Sequence, residues 1–210
     1  MATEMIPVLE AEELERLLSV ANPRYLSGRR NRAMLLLMAR LGLRVSEVVG
    51  HEKRDGGGLR TSDVDLTSGK ITIRDAKNGN RRRAKKSGAG RVVYAANATL
   101  EALRVYWQDR AGINADSDHF FVTSRGTPVA PAFVRQMVRR YGERIGLSEH
   151  KRHPHALRHT FGTELYRQTR DLRLVQTVLG HSSPQITQLY AHLSGADVQE
   201  ALLRFQQKWS

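Results

Sequence analysis

Cysteine is absent from all 210 residues. Disulfides, thiolate zinc sites and cysteine nucleophiles are therefore excluded together, and the absence fits a reducing compartment. Long apolar runs are missing as well. The longest, Ala33 to Ala39, is too short to span a bilayer. The opening MATEMIPVLEAEELERLL is acidic and amphipathic, unlike a secretory leader. The expectation is a soluble, cytoplasmic protein with no membrane partner. Internal repeats and low-complexity tracts are also lacking. Acidic residues are scarce: 21 Asp and Glu face 34 Lys and Arg, a net charge of +13. Such an excess points to a polyanionic partner, because neutralising phosphates drives nucleic-acid binding. What remains is an ordinary apolar content of 40%, enough for one large domain or two small ones with a real core.

The basic residues cluster. Lys77 to Lys86 (KNGNRRRAKK) holds Lys77, Arg81, Arg82, Arg83, Lys85 and Lys86 around an Asn-Gly hairpin signal. Six cations at a hairpin tip repel one another unless a polyanion lies alongside. The competing reading is a solvated charged loop. Arg135, Arg139 and Arg140, on a helix expected over Pro131–Arg144, are further candidates for phosphate contact. Double-stranded DNA is the partner this pattern implies.

The remaining chain reads as mainly helical. Helices are expected over Val8–Ala21, Ser27–Leu41, Leu43–Val49, Asn97–Arg110, His155–Thr169 and Asp171–Leu179, with a last one over Ala196–Trp209. The AMLLLMA centre of the second is apolar nearly all round and should be the most buried element. Phe133, Met137, Val138 and Tyr141 are expected on an apolar side, and Leu172, Val175 and Leu179 inward. Ser182 or Ser183 should cap a further helix with Pro184 early in it, carrying Ile186, Leu189 and Tyr190. Val64–Leu66, Lys70–Arg74 and Arg91–Tyr94 read as a small antiparallel three-stranded sheet. His51 to Gly58, with three successive glycines, reads as an inserted loop. The fold class is mainly α (α+β): one unit over residues 1–195, with a tail helix over 196–210 that docks on its own domain or on another copy.

Chemistry concentrates in Pro154–His192, which holds His155, Arg158, His159, His181 and Tyr190. Positive or protonatable donors beside one latent oxygen nucleophile suit an oxyanion such as a phosphate. Arg44, set among apolar neighbours with Glu47 one turn later, either meets an anion or simply pairs along its helix. The His-x-x-x-His spacing of His155 and His159 lacks a partnering glutamate and any cysteine, so no metal is expected.

Taken in order, these residues resemble the tyrosine recombinase (phage integrase) family. Gly42-Leu43-Arg44-Val45-Ser46-Glu47 is similar to the segment bearing its first catalytic arginine. Lys77 falls at its β-hairpin lysine position, with Ala76 where glycine is usual and Lys85 and Lys86 as rival candidates. His155-Ala156-Leu157-Arg158-His159-Thr160 matches its His-x-x-Arg helix. Leu179-Gly180-His181-Ser182-Ser183, with Tyr190 nine residues beyond His181, matches the last histidine and the nucleophile. The resemblance implies a DNA breaking–rejoining enzyme fold and a catalytic set of Arg44, Lys77, His155, Arg158, His181 and Tyr190, supported by Glu47 and His159. It implies no metal or other cofactor. Tyr190 would attack a phosphodiester to leave a 3′-phosphotyrosyl bond. Tyr166 is the runner-up nucleophile. Self-association on DNA, as dimer or tetramer, is also implied, with the C-terminal helix as a means. Family members carry an N-terminal helical domain that clamps the other face of the DNA, whereas only a short lead precedes the catalytic part here. The alternatives are a relaxing, topoisomerase-like activity on the same chemistry, or a DNA-binding accessory module without catalysis.

Overall fold

The computed structural model describes residues 7–51, 57–74, 90–180 and 195–207. Eight helices and two strands occur among them: α1 (Ala11–Ser19), α2 (Leu26–Arg40), α3 (Val45–Val49), β1 (Lys70–Ile73), β2 (Arg91–Tyr94), α4 (Asn97–Ala111), α5 (Pro131–Arg144), α6 (Pro154–Thr169), α7 (Leu172–Leu179) and α8 (Gly195–Gln207). The fold is mainly α, with a small antiparallel sheet. None of the described helices is long and apolar enough to cross a membrane.

Helix α2 is the centre. Every side chain from Ala33 to Ala39 is at most 2% exposed, as its all-round apolar pattern demands. Each fully buried leucine there stabilises the fold by roughly 1.5–3 kcal/mol. Helices α4 and α6 flank α2, and α1 and α3 pack on it too. Helix α1 begins later than the periodicity suggests: the Glu10 N–H donates to Glu13 Oε2 at 2.8 Å, which fixes its first turn. A second apolar focus joins α4 to the segment after it. Tyr106 stacks on Phe121, Trp107 stacks on Phe120, and the Tyr106 hydroxyl accepts from the Val122 N–H at 2.9 Å.

The expected three strands reduce to two. β1 and β2 pair antiparallel from Lys70↔Tyr94 to Ile73↔Arg91, while Val64 contributes only an isolated bridge to Ile71. Two local structures consume the third strand. Thr61–Asp63 forms a 3₁₀ turn, and the Asp65 carboxylate accepts from the N–H groups of Thr67 and Ser68, an Asx turn that competes with the ladder.

Two inward assignments fail. Leu172 is 57% exposed because it opens α7, where Asp171 caps the helix by accepting from Arg173 and Leu174; Leu174, Val175, Val178 and Leu179 face the core instead. Phe133 is 38% exposed and lies under the Arg30 guanidinium, 5.0 Å from ring centroid to Cζ. Helix α8 packs on its own domain, against β2 and α6. Leu202 and Phe205 are buried, and Phe205 meets Phe161 edge to face at 5.3 Å. The Gln206 amide donates to the Tyr94 carbonyl at 2.7 Å and accepts from the Ala96 N–H at 2.8 Å, extending β2 with a side chain. The helix expected to carry Ile186, Leu189 and Tyr190 lies outside the described residues, as does Trp209.

Candidate active site

Helix α2 stops at Gly42, whose φ of +65° suits glycine. A Cβ at that point would also meet Phe161 and Leu179, the latter at 2.8 Å. The turn throws the next residues into extended backbone. Arg44 therefore does not sit inside a helix, as its sequence setting suggests, but at the N-cap of α3 with φ −74° and ψ 153°. Its N–H donates to Glu47 Oε2 at 2.7 Å, and its Nη1 donates to Glu47 Oε1 at 3.0 Å. The Arg44–Glu47 pair is thus real, and it is part of something larger.

Glu47 is the hub. Its side chain is 9% exposed. Arg91, from the start of β2, grips it two-pronged, Nη1 to Oε1 at 2.7 Å and Nη2 to Oε2 at 2.9 Å. Arg158, from α6, holds its Nη1 3.9 Å from Oε2, outside hydrogen-bond reach. Burial pushes the Glu47 carboxyl up, but the hydrogen bonds and charge of Arg91, then those of Arg44, outweigh it and hold the group at about 2. Among the described residues three guanidiniums thus surround one carboxylate, an excess of positive charge.

Arg158 is itself buried, 6% exposed. Its Nη1 donates to the Gly42 carbonyl and its Nη2 to the Leu179 carbonyl. Burial lowers its pKa first, Arg44 and Arg91 lower it further, and Glu47 opposes them, leaving it at about 9. It remains charged at neutral pH. A guanidinium has five N–H donors, so these two carbonyls leave others for a ligand.

A cavity of about 480 Å³ opens beside this cluster, lined by Arg44, His51, Arg135, His155 and Arg158 among others. His155 follows Pro154, the first residue of α6; that helix is capped by His153, whose Nδ1 accepts from the Ala156 N–H at 3.2 Å. Partial burial lowers the His155 pKa, and His153, Arg158 and Arg44 push the same way. The ring is therefore neutral at physiological pH and able to take a proton. Three arginines and two histidines lining one concave space suit a phosphate diester.

Arg44, Arg158, His155 and Arg135 are thus brought together. His159 is exposed and does not line the cavity; partial burial and the neighbouring His155 lower its pKa. Arg139 and Arg140 lie exposed on α5, and Arg139 pairs with Glu143 at 3.0 Å. Tyr166 follows Arg158 by two turns of α6 and is 41% exposed, about 12 Å along the axis at 1.5 Å per residue. Lys77, Arg81, Arg82, Arg83, Lys85, Lys86, His181 and Tyr190 lie outside the described residues. No group of three His, Asp or Glu able to hold a metal occurs among the described residues. Sequence reasoning missed Arg91 and His51. Arg91 reads as an ordinary strand residue, and its partner is 44 positions away. His51 sits at the edge of a glycine-rich loop with no local pattern.

The phage integrase family model matches residues 7–196. The chain is 33% identical over 196 residues to the tyrosine recombinase XerC of Oceanobacillus iheyensis, covering 93% of this chain and 60% of that one. It is 36% identical over 186 residues to XerC of Xanthomonas campestris, covering 89% and 51%. Among solved structures, the XerA recombinase aligns with a TM-score of 0.69 at 31% identity, over 96% of this chain and 64% of that one. The XerH site-specific recombinase bound to its difH substrate aligns with a TM-score of 0.65 at 27% identity, over 89% and 50%. The chain therefore spans about half to two-thirds of the length of these relatives. With the family model matching nearly its whole length, residues 7–196, the chain belongs to the phage integrase family.

Proposed function

We propose that the chain is the catalytic part of a site-specific DNA recombinase that cuts and rejoins strands through a 3′-phosphotyrosyl intermediate. The observation that carries the reading is the convergence of Arg44, Arg158 and His155 on one cavity with more guanidinium than carboxylate charge. Among the described residues one carboxylate meets three guanidiniums, and a scissile phosphate would add a second anion.

In this reading the Tyr190 oxygen attacks the phosphorus. The bond from phosphorus to the 5′-oxygen breaks, and a free 5′-hydroxyl leaves. A phenol with an ordinary pKa near 10 needs a base, and His155, neutral and lining the cavity, takes its proton. Arg44 and Arg158 bind the non-bridging oxygens, where charge builds in the pentacovalent transition state. Lys77 protonates the leaving oxygen, and His181 donates to the phosphate. The covalent link conserves the bond energy, so attack by a 5′-hydroxyl reverses the step and joins a strand without ATP. Arg135 on the cavity wall, Arg139 and Arg140 beyond it, and Arg81, Arg82, Arg83, Lys85 and Lys86 supply backbone contacts to double-stranded DNA. Residues 1–195 form the catalytic unit. Self-association on DNA belongs to the same reading. Because Leu202 and Phe205 are already buried within the chain, exchange of the tail between copies requires α8 to undock first.

The test uses duplexes selected from a random library by binding, nicked so that the leaving fragment diffuses away. On a denaturing gel the wild type forms a covalent protein–DNA band that is lost in Tyr190→Phe. Bound DNA without such a band refutes the cleavage reading and leaves a binding module. Relaxation of supercoils without strand exchange favours the topoisomerase-like alternative.

A further inference from the structure

Arg91 is bound on both terminal nitrogens beside the site, yet it lines no part of the cavity. Both of its terminal nitrogens are spent on Glu47, at 2.7 and 2.9 Å. Glu47 in turn holds Arg44 by side chain and by backbone and stands 3.9 Å from Arg158. The two site arginines come from different parts of the chain, one from the N-cap of α3 and one from α6. The Gly42 and Leu179 carbonyls hold Arg158; the carboxylate between the two arginines holds Arg44, and Arg91 is what fixes the carboxylate. Without Arg91 the carboxylate would keep only the Arg44 backbone N–H and a guanidinium on a side chain that is 35% exposed.

A second contact ties Arg91 to the other end of the site. Gly180 closes α7 with φ +63°, and a Cβ there would lie 2.9 Å from Arg91 Nη1 and 3.3 Å from its Cδ. The Arg91 side chain thus packs closely against Gly180, the residue that precedes His181 in the chain. Arg91 also opens β2, the strand that follows the Lys77–Lys86 stretch. One side chain touches the Arg44 turn through Glu47, the α7 terminus through Gly180, and the sheet through its own backbone.

We propose that Arg91 is a positioning residue for the cleavage reaction: by clamping Glu47 it holds Arg44 in place beside Arg158, so that both guanidiniums can meet a single phosphate. The inference rests on the strand-cleavage reading above. It adds a residue that touches neither DNA nor the reacting atoms and acts through Glu47. Misplacement of a catalytic group by an ångström costs up to about 100-fold in rate, which sets the scale of the expected effect.

The test measures the single-turnover rate of covalent adduct formation and, separately, DNA affinity, for Arg91→Met, Arg91→Lys, Glu47→Gln and the double variant Arg91→Met/Glu47→Gln. Arg91→Met should slow adduct formation by about 10- to 100-fold with DNA affinity changed less than about threefold, since Arg91 lines no part of the cavity. Arg91→Lys, which keeps one charged contact, should recover part of the rate. In the Glu47→Gln background, Arg91→Met should cost less than about threefold more, because the two residues act as one unit. Thermal melts confirm that the variants compared are folded, and the lysine variant carries the comparison if the methionine one is not. An unchanged rate in a folded Arg91→Met protein overturns the proposal. So does a full additional loss in the Glu47→Gln background. A wild type that binds DNA but forms no adduct overturns the cleavage reading itself, a result distinct from either.

Discussion

Replacing Glu47 with glutamine removes the carboxylate that Arg44, Arg91 and Arg158 share while keeping nearly the same shape. The wild-type carboxyl sits at about 2 against an ordinary 4.5. At 1.36 kcal/mol per pH unit that difference corresponds to about 3 kcal/mol of folding stability, within the 3–5 kcal/mol typical of removing one partner from a buried ion pair. The sign follows from linkage: the folded-state pKa is depressed, so this stability is fully present above pH 4.5 and is lost as pH falls towards 2. Urea unfolding at pH 7 should therefore show Glu47→Gln weaker by about 3 kcal/mol. The gap between the two proteins should close as unfolding is repeated from pH 5 downward, because acid protonates the wild-type carboxyl. Phosphate or sulfate should restore part of the variant's stability by supplying the anion its arginines lack. A loss below about 1 kcal/mol, the range of surface ion pairs, or a gap that stays constant with pH would refute the hub.

Gly42→Ala should destabilise by about 2–5 kcal/mol, combining left-handed strain with overpacking against Phe161 and Leu179, and should slow adduct formation as well; urea titration and the gel assay check both. The adduct-formation rate should fall on acidification with a midpoint below the ordinary histidine value of 6.5, since partial burial and its cationic neighbours depress the His155 pKa, and that limb should vanish in His155→Gln. Phe205→Ala should cost about 3–5 kcal/mol by stripping the edge-to-face contact with Phe161; a loss under 1 kcal/mol in urea melts would mean the tail is not docked in solution. DNA affinity should fall with salt at a log–log slope of about −0.9 per phosphate contacted, and a flat response in gel shifts would refute the basic interface.

The helical frame was legible because burial writes a period into the chain. Leu14, Leu17 and Leu18 in α1 and the unbroken apolar centre of α2 could hardly be placed otherwise. Ends and short pieces were less legible, because a cap or turn overrides periodicity within one or two residues. Asp65 ended the third strand before it began, and Asp171 left Leu172 in solvent. Within the site, the motifs named Arg44, His155 and Arg158, whose local settings are unusual. The same patterns were silent on Arg91. A half-buried arginine announces itself only when its anion is near in sequence, and Glu47 is 44 residues away. Exposed basic residues were the least specific signal: Arg135 reaches the cavity wall, while Arg139 spends its charge on Glu143.

Arg158 is at once a candidate phosphate ligand and a strut. Its guanidinium bonds the backbone of Gly42 after α2 and of Leu179 at the end of α7, so three distant stretches of polypeptide meet on one side chain. An inactive version made by truncating this arginine would confound lost chemistry with a loosened scaffold. On the proposed reading, a defective partner for trapping DNA complexes is better made at Tyr190 by deleting a single oxygen, which keeps the Arg158 side chain at that junction of carbonyls.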